Sequence, residues 1–387
     1  MSSPVAPPTG GSPPTPPPLP ARRPERNLRQ WYHDHRPALA LVGLSILIPE
    51  LLTGSTPVAA LLNPLSVLFL LGLYGCGVLV IRDVALRWNR GWAPVFFLGT
   101  AYAIVEEGIG TKTFFDWAEI GRPAFGPYTH WGGVNWVWAG ELTLFHAIFS
   151  IALPVVLVSL VFPESRGQRF LSDRGLGWTF AAFLLTATSM FFLFDRGFVF
   201  PPQLLVGSLL AILLLVLTAW KVPTAWFRPR TPTPATSPRG MLVLGGVFVW
   251  GFFVIFLGLP GIFQDPFLTV ALGWAFTGVC FLVLRRTVGA ADHDSQVAFL
   301  ALGLLTFLVA FAALAEILGD LFVFLAIAVT LYLMFYLHRR YRPSNPGVPE
   351  GAGAPIPWHP PRPDPTPGNR LWKSKGRGRW PECSRNR

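Results

Sequence analysis

Residues 101–115, AYAIVEEGIGTKTFF, set two adjacent carboxylates, Glu106 and Glu107, near the end of an apolar run that begins at Trp92. The run is long enough to cross a bilayer. An ionisable side chain inside the hydrocarbon costs roughly 2.5–3.5 kcal/mol on insertion scales, so a pair there marks a candidate functional site.

Composition agrees with a membrane setting. Of the 387 residues, 52% are hydrophobic and 13% charged, where a soluble domain carries about 25% charged. The net charge is +11, but the basic residues are scattered over short loops and tails without a nucleic-acid motif, which excludes nucleic acid as a partner. Cys76, Cys280 and Cys383 show no CxxC or Cys/His spacing, so neither a disulfide framework nor a zinc finger is indicated. The Pro-rich N-terminus lacks the n- and h-regions of a cleaved signal peptide.

Ten apolar segments follow one another at about 37–53, 63–82, 92–110, 134–162, 176–195, 201–220, 241–259, 266–284, 297–317 and 321–338. They predict an all-α polytopic transmembrane bundle embedded in a lipid bilayer. Residues 1–36 read as a disordered Pro-rich tail, 37–220 as a six-helix membrane region, and 221–240 as a Pro/Thr-rich linker. A four-helix region at 241–338 and a disordered basic tail at 339–387 complete the chain. His33, Asp34 and His35 have the look of a metal triplet, but with no further ligand nearby they read as solvated at the membrane edge.

Counting Lys and Arg in alternate loops gives the orientation. With the N-terminal tail inside, 28 of the 31 fall on the cytoplasmic side, and only Lys112, Arg122 and Arg196 lie outside. Both ends and the 221–240 linker are therefore expected in the cytoplasm.

Depth then gathers the acids. At 1.5 Å per residue, Glu106 lies ~9 Å beneath the outer face of a ~30 Å core, Glu141 and Glu50 ~10 Å and His146 ~18 Å. Asp195 closes the fifth segment. Four helices thus offer acids to one outer layer. About 100° per residue puts Glu106 and Glu107 on different faces, and Glu141 about 140° from His146. Asn135, Leu142 and His146 share a stripe, flanked by Thr143 and Ser150. Two readings compete: internal pairing through Lys112, Arg196 and polar neighbours, or a working site. The number of acids favours the site, because buried pairs rarely repay their desolvation. Glu106, Glu107 and His146 are the catalytic candidates. Glu141, Asn135, Glu50, Asp195 and Lys112 are candidates for binding a substrate or ion.

The loop 111–138 over this layer is rich in Phe, Tyr and Trp, as an interfacial belt or as a lid. Segments seven to ten carry Glu316 and Asp320 only at an outer end. They read as scaffold, or as the interface of a homo-oligomer.

The segments VEEGIGTKTFFD and GVNWVWAGELTLFHAIFSIALP resemble a group of prokaryotic multi-pass membrane proteins with no assigned activity. That likeness spans about 60–175 and implies no chemistry; the expected location is a prokaryotic plasma membrane. A looser resemblance is to the CPBP (CAAX-protease-like) intramembrane proteases, whose pattern is EExxxR, FxxxH and HxxxN or HxxxD. Glu106-Glu107 match the first pair, with Thr111 in place of the Arg. His146 matches the second motif, with Leu142 in place of the Phe. Phe191 and Asp195 have the third motif's spacing without its His. The resemblance implies a general base at Glu106 or Glu107 and a ligand or proton carrier at His146.

The sequence therefore points to an acidic, His-containing pocket that opens outward, a binding or degenerate CPBP-like hydrolase site for a cation, a lipid or a peptide. A proton- or cation-coupled transporter is the alternative, and predicts acids or broken helices in both halves. A structural subunit of a membrane complex is the third.

Overall fold

The structure, a computed structural model, describes residues 28–116, 129–194, 197–223, 236–288, 293–317 and 322–342. Both tails as expected from sequence lie largely outside these residues, as do most of the 221–240 linker, Arg122, Asp195 and Arg196. The chain divides into two units, residues 1–36 and 37–387. In the first, helix begins at Leu28, ahead of Pro37 where the apolar run starts. His35 Nδ1 meets the Trp31 carbonyl at 2.8 Å, and the two rings stack.

Among the described residues there are ten helical rods. The first, α1, is Leu28–Ile46 continued by Leu47–Leu51. Next come α2 (Pro64–Trp88) and α3, which is Trp92–Ala103 continued by Ile104–Gly110. Rods α4 to α7 are Trp136–Val161, Asp173–Leu193, Pro202–Lys221 and Pro238–Gly261, and α8 to α10 are Pro266–Thr287, His293–Ile317 and Val323–Tyr341. Eight are long and apolar enough to cross a membrane. The remaining two, α1 and α3, are those that carry Glu50 and the Glu106-Glu107 pair.

The architecture is a polytopic helical bundle arranged around α4. That rod's most apolar window is 72% buried, against 11% for α6 and for α8, so α4 is the central helix and the other two lie at the periphery. Rods α3, α8 and α9 pack directly on it. Phe145 and Phe149 of α4 interlock with Phe248, Phe252 and Phe253 of α7, which welds the second half to the centre. Van der Waals packing of this kind holds transmembrane helices together, because lipid offers no hydrophobic drive between them.

Gly99 sets the closest approach of α3 to α4. A Cβ there would lie 2.9 Å from the Ala147 Cα, a distance that only glycine allows.

Five stretches leave the α-helical register for the wider π form: 47–51, 71–75, 104–110, 146–152 and 254–258. The five-residue bonds are explicit, with Thr111 N–H donating to the Glu106 carbonyl at 2.8 Å and Leu52 N–H to Leu47 at 3.0 Å. Proline explains two of them. Pro49 and Pro154 have no N–H to give the carbonyls of Ser45 and Ser150, so the ladder slips.

At the expected cytoplasmic end, Arg82 and Asp83 of α2 are buried. Arg82 donates to the carbonyls of Ser165 and Gln168 at 3.1 and 3.0 Å, and its guanidinium lies over Phe170. Asp83 accepts from the backbone N–H of Phe170 and Leu171 at 3.1 and 2.9 Å. Arg166 forks onto Asp294 at 2.9 and 2.8 Å. Residues counted from sequence as loop charges therefore clasp the α4–α5 loop to both halves.

Candidate intramembrane site

Four of the five π stretches each present a polar group to one spot: Glu50 from α1, Tyr74 from α2, Glu106 and Glu107 from α3, His146 from α4. π segments are frequent at functional sites because the widened turn re-aims its side chains. Here the effect is direct. In an α-helix the two glutamates would diverge by about 100°, yet both reach the same imidazole. Glu106 Oε2 is 3.3 Å from His146 Nδ1, and Glu107 Oε1 is 3.3 Å from Nε2.

Hydroxyl groups and one further carboxyl group complete the surroundings. Ser150 Oγ is 2.9 Å from His146 Nδ1, one helical turn along α4. Thr113 and Thr111 hydroxyls donate to Glu107 Oε2 at 2.5 and 3.1 Å. Glu50 accepts from Tyr74 on one oxygen and from Thr56 on the other. Tyr74 and Tyr102 flank the histidine, with ring centroids 6.2 and 5.9 Å from it. The Tyr102 hydroxyl faces Glu106. Neither that hydroxyl nor Glu106 Oε2 makes a hydrogen bond, although both are buried. Among the described residues, no Lys or Arg pairs with Glu50, Glu106 or Glu107.

The other candidates separate from this cluster. Asn135 caps the start of α4, its Oδ1 accepting from Trp138 N–H at 3.0 Å. Its backbone ties the β1–β2 hairpin (His130–Trp131 with Val134–Asn135) to Phe114 at 2.8 Å. Lys112 turns to the end of α5, where its ammonium donates to the Phe194 carbonyl at 3.0 Å and lies near the Phe191 ring. Positive φ at Lys112 ends α3 and swings the side chain that way. Glu141 is buried on α4 but stands outside the group formed by Glu106, Glu107 and His146. Asp195 is not among the described residues.

The expected outward-opening pocket takes a different form. Glu106 and His146 side chains are each 3% exposed and Glu107 16%, so the groups form a buried cluster of which Glu107 is the most exposed member. Cavities of ≈ 10 Å³ beside Arg82 and Ser165 and ≈ 300 Å³ beside Leu214 and Lys221 lie elsewhere. The aromatic loop is described at its ends alone, where Phe114 and Phe115 are buried and Trp131 is exposed.

Sequence reading missed the full role of Tyr74, Thr56 and Thr113. Tyr74 sits in LGLYGCG, and a lone tyrosine between glycines inside an apolar run was the available signal.

A family model described as an uncharacterized membrane protein family matches residues 39–343. No curated protein and no solved structure matches the chain, CPBP proteases included.

Proposed function

The chain belongs to this uncharacterized membrane protein family and is a multi-pass membrane protein; we propose that Glu106, Glu107 and His146 bind a cation inside the bilayer. One observation carries this. Two carboxylates flank a single imidazole and a third, Glu50, is bound to the adjacent Tyr74, with no Lys or Arg pairing with them among the described residues. Even with His146 protonated, full ionisation would leave excess negative charge in a low-dielectric setting, which is costly. Protons or a metal ion must supply the balance.

The burial of Glu106 and His146 favours a small ligand over a lipid chain or peptide. A transporter of two matched halves is less supported, because the π stretch of the second half, Val254–Gly258, carries no ionisable side chain.

Thermal unfolding in detergent tests the reading. A bound cation stabilises by RT ln(1 + [L]/Kd), about 2.7 kcal/mol at a hundredfold excess over Kd. Wild-type protein should gain stability with acid or with a suitable cation. Glu106→Gln, which neutralises the buried oxygen that has no hydrogen bond, should be at least as stable as wild type without ligand and lose the response. If wild type responds to neither and the Gln variant melts lower, the cluster is an internal strut.

A further inference from the structure

We propose that the cation is a first-row divalent metal ion, held by His146 Nε2 and one carboxylate oxygen from each of Glu106 and Glu107. This rests on the cation-site reading above and names the ion class.

The ligand atoms of the three residues lie within 4.8 Å of one another. His146 Nδ1 faces Ser150 Oγ at 2.9 Å, so a ring hydrogen on Nδ1 has an acceptor there and leaves the lone pair on Nε2 for a metal. A second group that orients the ring in this way is the usual companion of a metal-binding histidine. The lone pair of Nε2 then faces Glu107 Oε1 across 3.3 Å. Two lone pairs at that distance repel unless a positive charge lies between or beside them. Ligand atoms ~2.1 Å from a tetrahedral ion are ~3.4 Å apart, so the spacing suits a shared metal.

Two further atoms point to an added ligand. Tyr102 is 3% exposed and Glu106 2%, and both the Tyr102 hydroxyl and Glu106 Oε2 lack a hydrogen-bond partner. Both face the cluster. Buried polar atoms are normally satisfied, and a metal ion with a coordinated water at its fourth position would satisfy both.

The donor set selects the class of ion. Calcium and magnesium take oxygen ligands, whereas an imidazole nitrogen beside two carboxylates suits zinc, iron, cobalt or manganese. Glu50, tied to Tyr74 and Thr56, stands outside the ligand set.

The test uses the full chain, purified in detergent. Metal content is measured as purified, and chelator-treated protein is then titrated with Zn²⁺, Mn²⁺, Ca²⁺ and Mg²⁺. One equivalent of Zn²⁺ or Mn²⁺ should bind at least ~10-fold more tightly than Ca²⁺ or Mg²⁺. Ser150→Ala should weaken binding ~10–100-fold, as loss of an outer hydrogen bond does. His146→Gln and Glu107→Gln should weaken it at least as much, and the cytoplasmic-side Glu164→Gln should not. A preference for Ca²⁺ or Mg²⁺, or full binding in His146→Gln, overturns the proposal. If wild type binds no metal but its melting point rises with acid, the cation is a proton: the metal assignment falls and the cation site stands. If it responds to neither, both fall.

Discussion

Tyr74 and Tyr102 stand on either side of His146, yet their hydroxyls are in opposite situations. Tyr74 donates to Glu50, while the buried Tyr102 hydroxyl has no partner. Deleting one half of a buried hydrogen bond strands the other half, at about 1–3 kcal/mol; deleting an unsatisfied group relieves a penalty already present. Tyr74→Phe should therefore lower stability in detergent by about that amount, measured by denaturant unfolding. Tyr102→Phe should leave it within about 0.5 kcal/mol of wild type or raise it. The reverse ranking would show that Tyr102 has a protein partner and remove one of the two atoms that point to a ligand. The same contrast separates the glutamates. Glu107 Oε2 accepts from Thr111 and Thr113, whereas Glu106 Oε2 is buried without a hydrogen bond.

At the scale of the helix, the site depends on register and on how closely α3 meets α4. Gly99 lies against Ala147, the neighbour of His146. Gly99→Val should push the rods apart and cost about 1–3 kcal/mol, as overpacking does. It should also abolish stabilisation by added cation, because Glu107 and His146 separate. Retained cation response in a folded Gly99→Val protein would show that the site does not need this contact. Register also marks where sequence reading stopped. The apolar runs and the acids were legible, because hydrophobic length and charge are written residue by residue. That Glu106 and Glu107 both reach His146 was not, because ordinary helical spacing sends them to different faces. The π turns depend on which carbonyls find donors across the bundle, and prolines mark only two of them, at Pro49 and Pro154. Asn135 and Lys112 read as site residues since polar side chains in apolar surroundings look alike in sequence; only the fold shows one capping α4 and the other tethering α5. The clasp at the far end of α2 was hidden for a similar reason. Arg82 and Asp83 look like loop charges at the edge of an apolar segment, but they are buried. Asp83→Ala would strand Arg82 and the N–H groups of Phe170 and Leu171, so unfolding in detergent should show a loss of about 3–5 kcal/mol.

Over the whole molecule, orientation follows from where the charges lie relative to the ten rods. Glu50, Glu106 and Glu107 sit near the C-terminal ends of α1 and α3, while Tyr74 and His146 sit in the N-terminal halves of α2 and α4. Successive rods that alternate in direction bring these four places to one side of the bilayer. The Arg82–Asp83 clasp and the Arg166–Asp294 pair mark the other side. These two charged layers differ in sign. Among the described residues, the site layer holds carboxylates with no Lys or Arg pairing with them, and the opposite layer holds most of the arginines. Basic residues near helix ends are retained in the cytoplasm during insertion. We therefore propose that both termini and the 221–240 linker lie inside, with the Glu/His cluster towards the outer face. The two rods that fall short of an apolar membrane span, α1 and α3, are the ones on which this assignment depends, since leaving out either one reverses every loop after it. Reporter fusions at Thr233 and after Arg387, paired with one in the 52–63 loop, read the alternation directly. Cytoplasmic signal at the first two and external signal in the loop is the expected result. External signal at Thr233 would mean that α1 or α3 does not cross, and would put the carboxylates at a membrane edge instead of within the bilayer.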